Sequence, residues 1–107
     1  MSYFFGEIQM KFTDEFEYLL LKYISRYTET NQRKLSKALS CSLGYMNRVL
    51  TFLKEFGYIE TIPIEKRKCL YILTPRGEKE LSQKKKEYRE YLQAQIKEIN
   101  RKLKLLS

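Results

Sequence analysis

The apolar residues of this chain change their spacing at Gly57 and change it back at Pro75, and this double switch constrains the fold most. Before Gly57 they recur every three or four residues, the period of an amphipathic helix. Tyr58-Ile59-Glu60-Thr61-Ile62 and Cys69-Leu70-Tyr71-Ile72-Leu73 are instead short runs rich in β-branched and aromatic residues, which read as two strands. Pro63 to Lys68 is a charged turn between them, giving a hairpin with a basic tip. After Thr74 the helical period returns and runs to about Leu105.

The helices have readable ends. Thr13 reads as an N-cap, with Asp14 and Glu15 in the first turn where the helix dipole favours acids. Phe16, Leu19, Leu20, Tyr23, Ile24 and Tyr27 then form the stripe of a first, structural helix. Thr28 to Asn31 is a polar break. Thr30 or Asn31 caps a short second helix from Arg33 to Leu39, whose buried residues are expected to be Leu35, Ala38 and Leu39. Ser42 caps a third helix from Leu43 to Phe56, with Met46, Val49, Leu50 and Leu53 inward and Gly57 stopping it. Thr74 caps the last helix, with Pro75 at its first position and Glu78 completing the cap.

The element order is therefore helix, helix, turn, helix, strand, basic turn, strand, helix. It defines a mainly α fold with a small β-hairpin: a winged helix-turn-helix plus a long C-terminal helix. Residues 1–12 form an N-terminal arm, with the aromatic cluster Tyr3-Phe4-Phe5, that either packs on a partner or is disordered. Residues 13–74 form the winged domain, and 75–107 a dimerisation helix. Leu92, Ile96, Ile99, Leu103 and Leu106 follow the alternating four-three spacing of a coiled-coil seam, while Leu81 and Tyr88 fall out of phase. A lone helix of that length leaves its stripe in water. Packing on a second copy, on the first helix, or on both removes it.

Charge narrows the choice of partner. The chain carries 21 Lys+Arg against 13 Asp+Glu, a net charge of +8. Residues 1–30 are acidic by two, while residues 31–74 and 75–107 are each basic by five. The middle and end are thus suited to a polyanion, and the start is not. There is no histidine, no nucleophile elbow, no P-loop and no flanked carboxylate pair, so neither an enzyme nor a metal site is expected, and no cofactor. Cys41 and Cys69 stand alone, which suits packed, reduced thiols in the cytoplasm. No apolar run is long enough to span a bilayer, no signal peptide opens the chain, and the mixed charges of the last helix argue against a membrane surface.

The third helix is the one to enter a major groove. Ser42, Tyr45, Asn47, Arg48 and Thr51 lie off its apolar stripe. Arg48 can fork onto guanine O6 and N7, and Asn47 can do the same for adenine. Leu43 suits a thymine methyl, and Gly44 admits a phosphate close to the backbone. Gln32, Arg33 and Lys34 suit phosphates, while Lys66, Arg67 and Lys68 suit the minor groove beside the wing or its backbone. Each has a plainer reading: Arg48 as a solvated charge, Asn47 as a cap or local hydrogen-bonder, Tyr45 as core or dimer contact, Lys66 to Lys68 as a solvated turn. Lys84-Lys85-Lys86 reads first as an exposed helix face.

The stretch Gln32 to Gly57 resembles the MarR-type winged helices, above all the small group associated with exopolysaccharide gene clusters. The shared positions are Gln32-Arg33, Leu35, Leu39, Ser42-Leu43-Gly44, Asn47, Leu73-Thr74-Pro75, Gly77, Glu87-Tyr88 and Glu98-Ile99. Ser36 replaces a common alanine, and Ser40 a common turn glycine. The archaeal winged-helix chromatin proteins are similar in architecture alone. The resemblance implies a sequence-specific regulator that binds double-stranded DNA as a homodimer through the last helix. A non-specific nucleoid protein and a winged-helix protein-interaction module are the alternatives. A small-molecule effector is not assigned.

Overall fold

The computed structural model describes residues 2–5, 8–66 and 68–107, with side chains from Glu15 onward. Strands β1 (Ser2–Phe5) and β2 (Ile8–Lys11) pair antiparallel within the expected arm. β2 lies beside α1 (Phe12–Arg26) and α4 (Pro75–Leu106). Helix α1 starts at Phe12, one residue before the expected cap, and the capping role of Thr13 falls outside the described side chains.

Burial corrects the stripe of α1. Phe16, Tyr18, Leu20, Leu21 and Ile24 are buried, while Leu19 and Tyr27 are exposed. The wider inner face arises because α1 is covered from two sides, by the winged core and by α4. The polar break at Thr28 to Asn31 also contains a short strand, β3 (Glu29–Thr30). It pairs with β5 (Lys68–Leu73), which pairs in turn with β4 (Ile59–Glu65), giving the antiparallel order β3-β5-β4. The hairpin arms are longer than the sequence suggests: Pro63 sits inside β4, which runs to Glu65, and β5 already begins at Lys68. β4 tolerates Pro63 because it is an edge strand, where a missing N–H leaves no neighbour unpaired.

Two helix ends set the geometry of the helix-turn-helix. Helix α2 (Gln32–Ala38) is capped by Asn31, whose Oδ1 accepts from Lys34 N at 2.9 Å. It closes with Cys41 N donating to Ser36 O (3.0 Å) and Ser40 N to Lys37 O (3.3 Å), a Schellman motif. Ser40 takes the left-handed position at φ 53°, where glycine is ordinarily preferred. Helix α3 (Leu43–Glu55) starts at Ser42, whose Oγ accepts from Tyr45 N at 3.1 Å. It ends in the same motif, with Gly57 at φ 77° and Tyr58 N donating to Leu53 O. In α2 the buried residues are Leu35 and Ser36, not Ala38, which is exposed. Ser36 tolerates burial because its hydroxyl donates to Gln32 O at 2.7 Å.

The core is Phe16, Leu20, Leu21, Ile24, Leu35, Met46, Leu50, Leu53, Ile59 and Tyr71, with Leu81 among the partly buried side chains packed against it. Each such side chain contributes about 1.5–3 kcal/mol by leaving water. Helix α4 is held at its root. Thr74 Oγ1 accepts from Gly77 N (3.0 Å) and donates to Gly57 O, and Thr74 N donates to Tyr58 O (3.0 Å). Further along, α4 lies on α1 through Lys84–Glu17 (3.1 Å), Tyr88 Oη to Glu15 (3.0 Å) and the tilted Tyr18–Tyr88 ring pair. Beyond Tyr91 the helix presents its seam to solvent.

Candidate nucleic-acid interface

Helix α3 is half core and half surface. Met46, Leu50 and Leu53 anchor it, with Val49 half-buried beside them. The opposite face carries Ser42, Leu43, Gly44, Asn47, Arg48 and Thr51, all exposed. The residues expected to read DNA therefore share one continuous face, starting at the helix N-terminus. At Gly44 nothing lies within 4 Å of where a Cβ would stand, so the backbone is open to a close-fitting partner. Tyr45 is the exception. It is half-buried, packs edge-on against Phe16 at 5.0 Å, and carries the Arg48 guanidinium over its ring at 5.8 Å. The Arg48 contact is a cation–π interaction worth about 0.5–1 kcal/mol at an exposed site.

The start of α2 stands beside this face. Arg33 and Lys34 are exposed. Gln32 Nε2 donates to Asn47 Oδ1 at 3.1 Å, bridging α2 and α3. Thr51 Oγ1 donates to Asn47 O at 2.8 Å, so that hydroxyl is engaged within its own helix and presents only lone pairs outward. Spacing singles out Gln32 and Asn47 separately and does not show that they meet. The signal available was the turn between them, which folds both helix starts to one side.

Among the described wing residues, one of the expected cations has an acidic partner. Lys66 is exposed at the turn, and Arg67 lies outside the described residues. Lys68 belongs to β5 and stands 3.7 Å from Glu29 of β3, an exposed ion pair worth about 0–1 kcal/mol. Ile62 and Ile64 are nearly half exposed on β4, an apolar surface that the sequence pattern did not announce. Lys84 is also corrected: it is largely shielded against Glu17 and is not part of a free basic face. Glu15 and Glu17, two of the five acids of the first segment, point into the α1–α4 contact.

Two features flank the face. A groove of about 290 Å³ between α1 and α3 is lined by Glu17, Tyr45, Arg48, Val49 and Phe52. Phe52, Phe56 and Tyr58 continue as a run of ring contacts, ending with Arg76 over Tyr58 at 5.5 Å. The Tyr58 hydroxyl is raised above its ordinary value, first by its hydrogen bond to Glu80 and then by burial, so it stays a neutral donor. Cys41 and Cys69 are free and half-buried. Among the described residues, no group of three or more metal-ligating side chains converges, and no helix is long and apolar enough to cross a membrane.

This is a winged helix-turn-helix, and its backbone matches the fold of solved MarR-type structures. The transcriptional regulator BldR from Sulfolobus solfataricus matches with a TM-score of 0.68 at 15% identity, over 86% of this chain and 71% of that one. A Cys-to-Ser variant of MarR from E. coli, solved with operator DNA, matches at 0.64 with 24% identity, over 84% of this chain and 72% of that one. Rv1404 from Mycobacterium tuberculosis matches at 0.62 with 20% identity, over 78% of this chain; the chain spans 58% of its length. No protein-family profile and no curated protein matches the sequence.

Proposed function

We propose that the chain is a sequence-specific double-stranded DNA-binding transcriptional regulator that acts as a homodimer through α4. The observation that carries this is the outer face of α3. A helix fixed by three buried side chains presents Ser42, Leu43, Gly44, Asn47, Arg48 and Thr51 together, with Gln32, Arg33 and Lys34 beside them. An α-helix fits the major groove, and its first turns reach base edges. The likeness to a MarR structure containing operator DNA supports the same use of the fold.

The dimer rests on α4. Leu92, Ile96, Ile99, Leu103 and Leu106 lie on one seam and are between 42% and 84% exposed. Burying such a stripe is what a second copy supplies, and it would place two α3 helices for two half-sites. A cytoplasmic, nucleoid-side location goes with this reading.

Fluorescence anisotropy against salt tests it. Arg33, Lys34 and Lys66 on each of two subunits would neutralise about six phosphates, so affinity should fall about 10³-fold between 50 and 200 mM salt. A flat salt response refutes DNA binding. Equal affinity for a selected duplex and for random DNA refutes specificity and leaves an architectural role.

A further inference from the structure

We infer that Gln32 and Asn47 act as one reading unit, in which Gln32 sets the orientation of the Asn47 amide and so determines specificity at one base pair. This rests on the DNA-binding reading above. A terminal amide is nearly symmetric in shape but not in chemistry: one end donates twice and the other accepts twice. An asparagine free to turn over offers either order of donor and acceptor to a base edge. Here it is paired with a second amide. Gln32 Nε2 donates to Asn47 Oδ1 at 3.1 Å, so the oxygen points toward α2 and the NH₂ points away along the exposed face.

That bond uses one lone pair of Oδ1. The second lone pair and an adjacent N–H remain, side by side on one edge of the amide. They match the N6 donor and N7 acceptor of adenine in the major groove. Gln32 thus need not touch a base to decide which base is read.

The surrounding hydrogen bonds fix the backbone under both partners. Ser36 Oγ donates to Gln32 O at 2.7 Å, and Thr51 Oγ1 donates to Asn47 O at 2.8 Å. Each member therefore has its carbonyl tied by a hydroxyl four residues further along its own helix. Asn31 caps the turn that starts at Gln32. This accounts for a buried serine at position 36, where an alanine would fill the space but leave that carbonyl without this bond.

The test uses the full chain and Gln32→Met, which keeps the length and helix preference and removes the donor. A randomised duplex pool is selected with both proteins, and anisotropy is then measured on single-base variants of the wild-type site. Discrimination at one A·T pair per half-site should fall roughly tenfold, with other positions and the salt slope unchanged. Asn47→Ala should lose the same position, and the double variant should lose no more than either alone. Without DNA, the side-chain amide resonances of Asn47 should shift in Gln32→Met. A uniform loss of affinity on every sequence makes Gln32 a phosphate contact only and overturns the proposal. So does an unmoved Asn47 amide. Failure of the wild type to select any sequence overturns the DNA reading itself, which separates the two.

Discussion

Gly77→Ala should destabilise the protein severely, although alanine favours a helix more than glycine does. A Cβ at position 77 would lie 1.9 Å from Tyr58 O and 2.9 Å from its carbon. Both are backbone atoms, so no side-chain rotation relieves the contact. The first turn of α4 would have to retreat by about 1 Å, an overpacking strain of about 1–3 kcal/mol. The retreat also breaks Thr74 N to Tyr58 O, worth about 1 kcal/mol, and weakens the Thr74 cap by about as much. The helix preference of alanine returns at most about 1 kcal/mol. The net loss is about 3 kcal/mol, a large part of the roughly 5–15 kcal/mol that holds a domain folded. Urea unfolding followed by circular dichroism should show the midpoint lowered by about 1–2 M with the slope unchanged. A midpoint at or above that of the wild type refutes the close approach at Gly77.

Other perturbations have expected outcomes. Gly44→Ala meets open space, so it should raise stability by up to about 1 kcal/mol in the same unfolding assay while weakening DNA binding by anisotropy. Ser40→Gly relieves a left-handed φ of 53° and should raise the thermal midpoint by the equivalent of about 1 kcal/mol. Tyr71 and Tyr88 are both held above their ordinary value, mainly by burial, aided by Cys69 and Glu15 respectively. Their neutral forms are favoured in the native state, so this stability is complete below about pH 10 and lost as pH rises through the raised values; Tyr71→Phe should flatten the alkaline fall in urea midpoint. Ile96→Asp places a charge in the α4 seam and should convert a dimer to a monomer in sedimentation, with secondary structure retained.

Local chemistry made much of this fold legible. Ser42, Gly57 and Thr74-Pro75 announce their caps because capping depends on residues within one turn. What stayed hidden depends on partners far along the chain. Glu29 and Thr30 are too few to show a strand period, and they pair only because β5 passes beside them. Lys84 reads as a solvated charge until α4 brings it to Glu17. Ser36 and Ala38 exchange their expected roles because a serine that satisfies its own hydroxyl can be buried in a helix. In the candidate interface, the α3 face was visible from its period, and the bond joining Gln32 to Asn47 was not.

The root of α4 has one more consequence. A single residue, Thr74, separates β5 from α4, and its N–H and hydroxyl are both engaged across the junction. The joint has no slack. A dimer built through α4 would then behave as a caliper of fixed span, carrying each reading head rigidly on a helix about 48 Å long. One inserted base pair turns a half-site by about 34° around the duplex. A linker of several residues absorbs such a step, and a one-residue locked joint does not. The spacing between half-sites would thus be discriminated as strictly as the bases themselves, by α4 and not by α3.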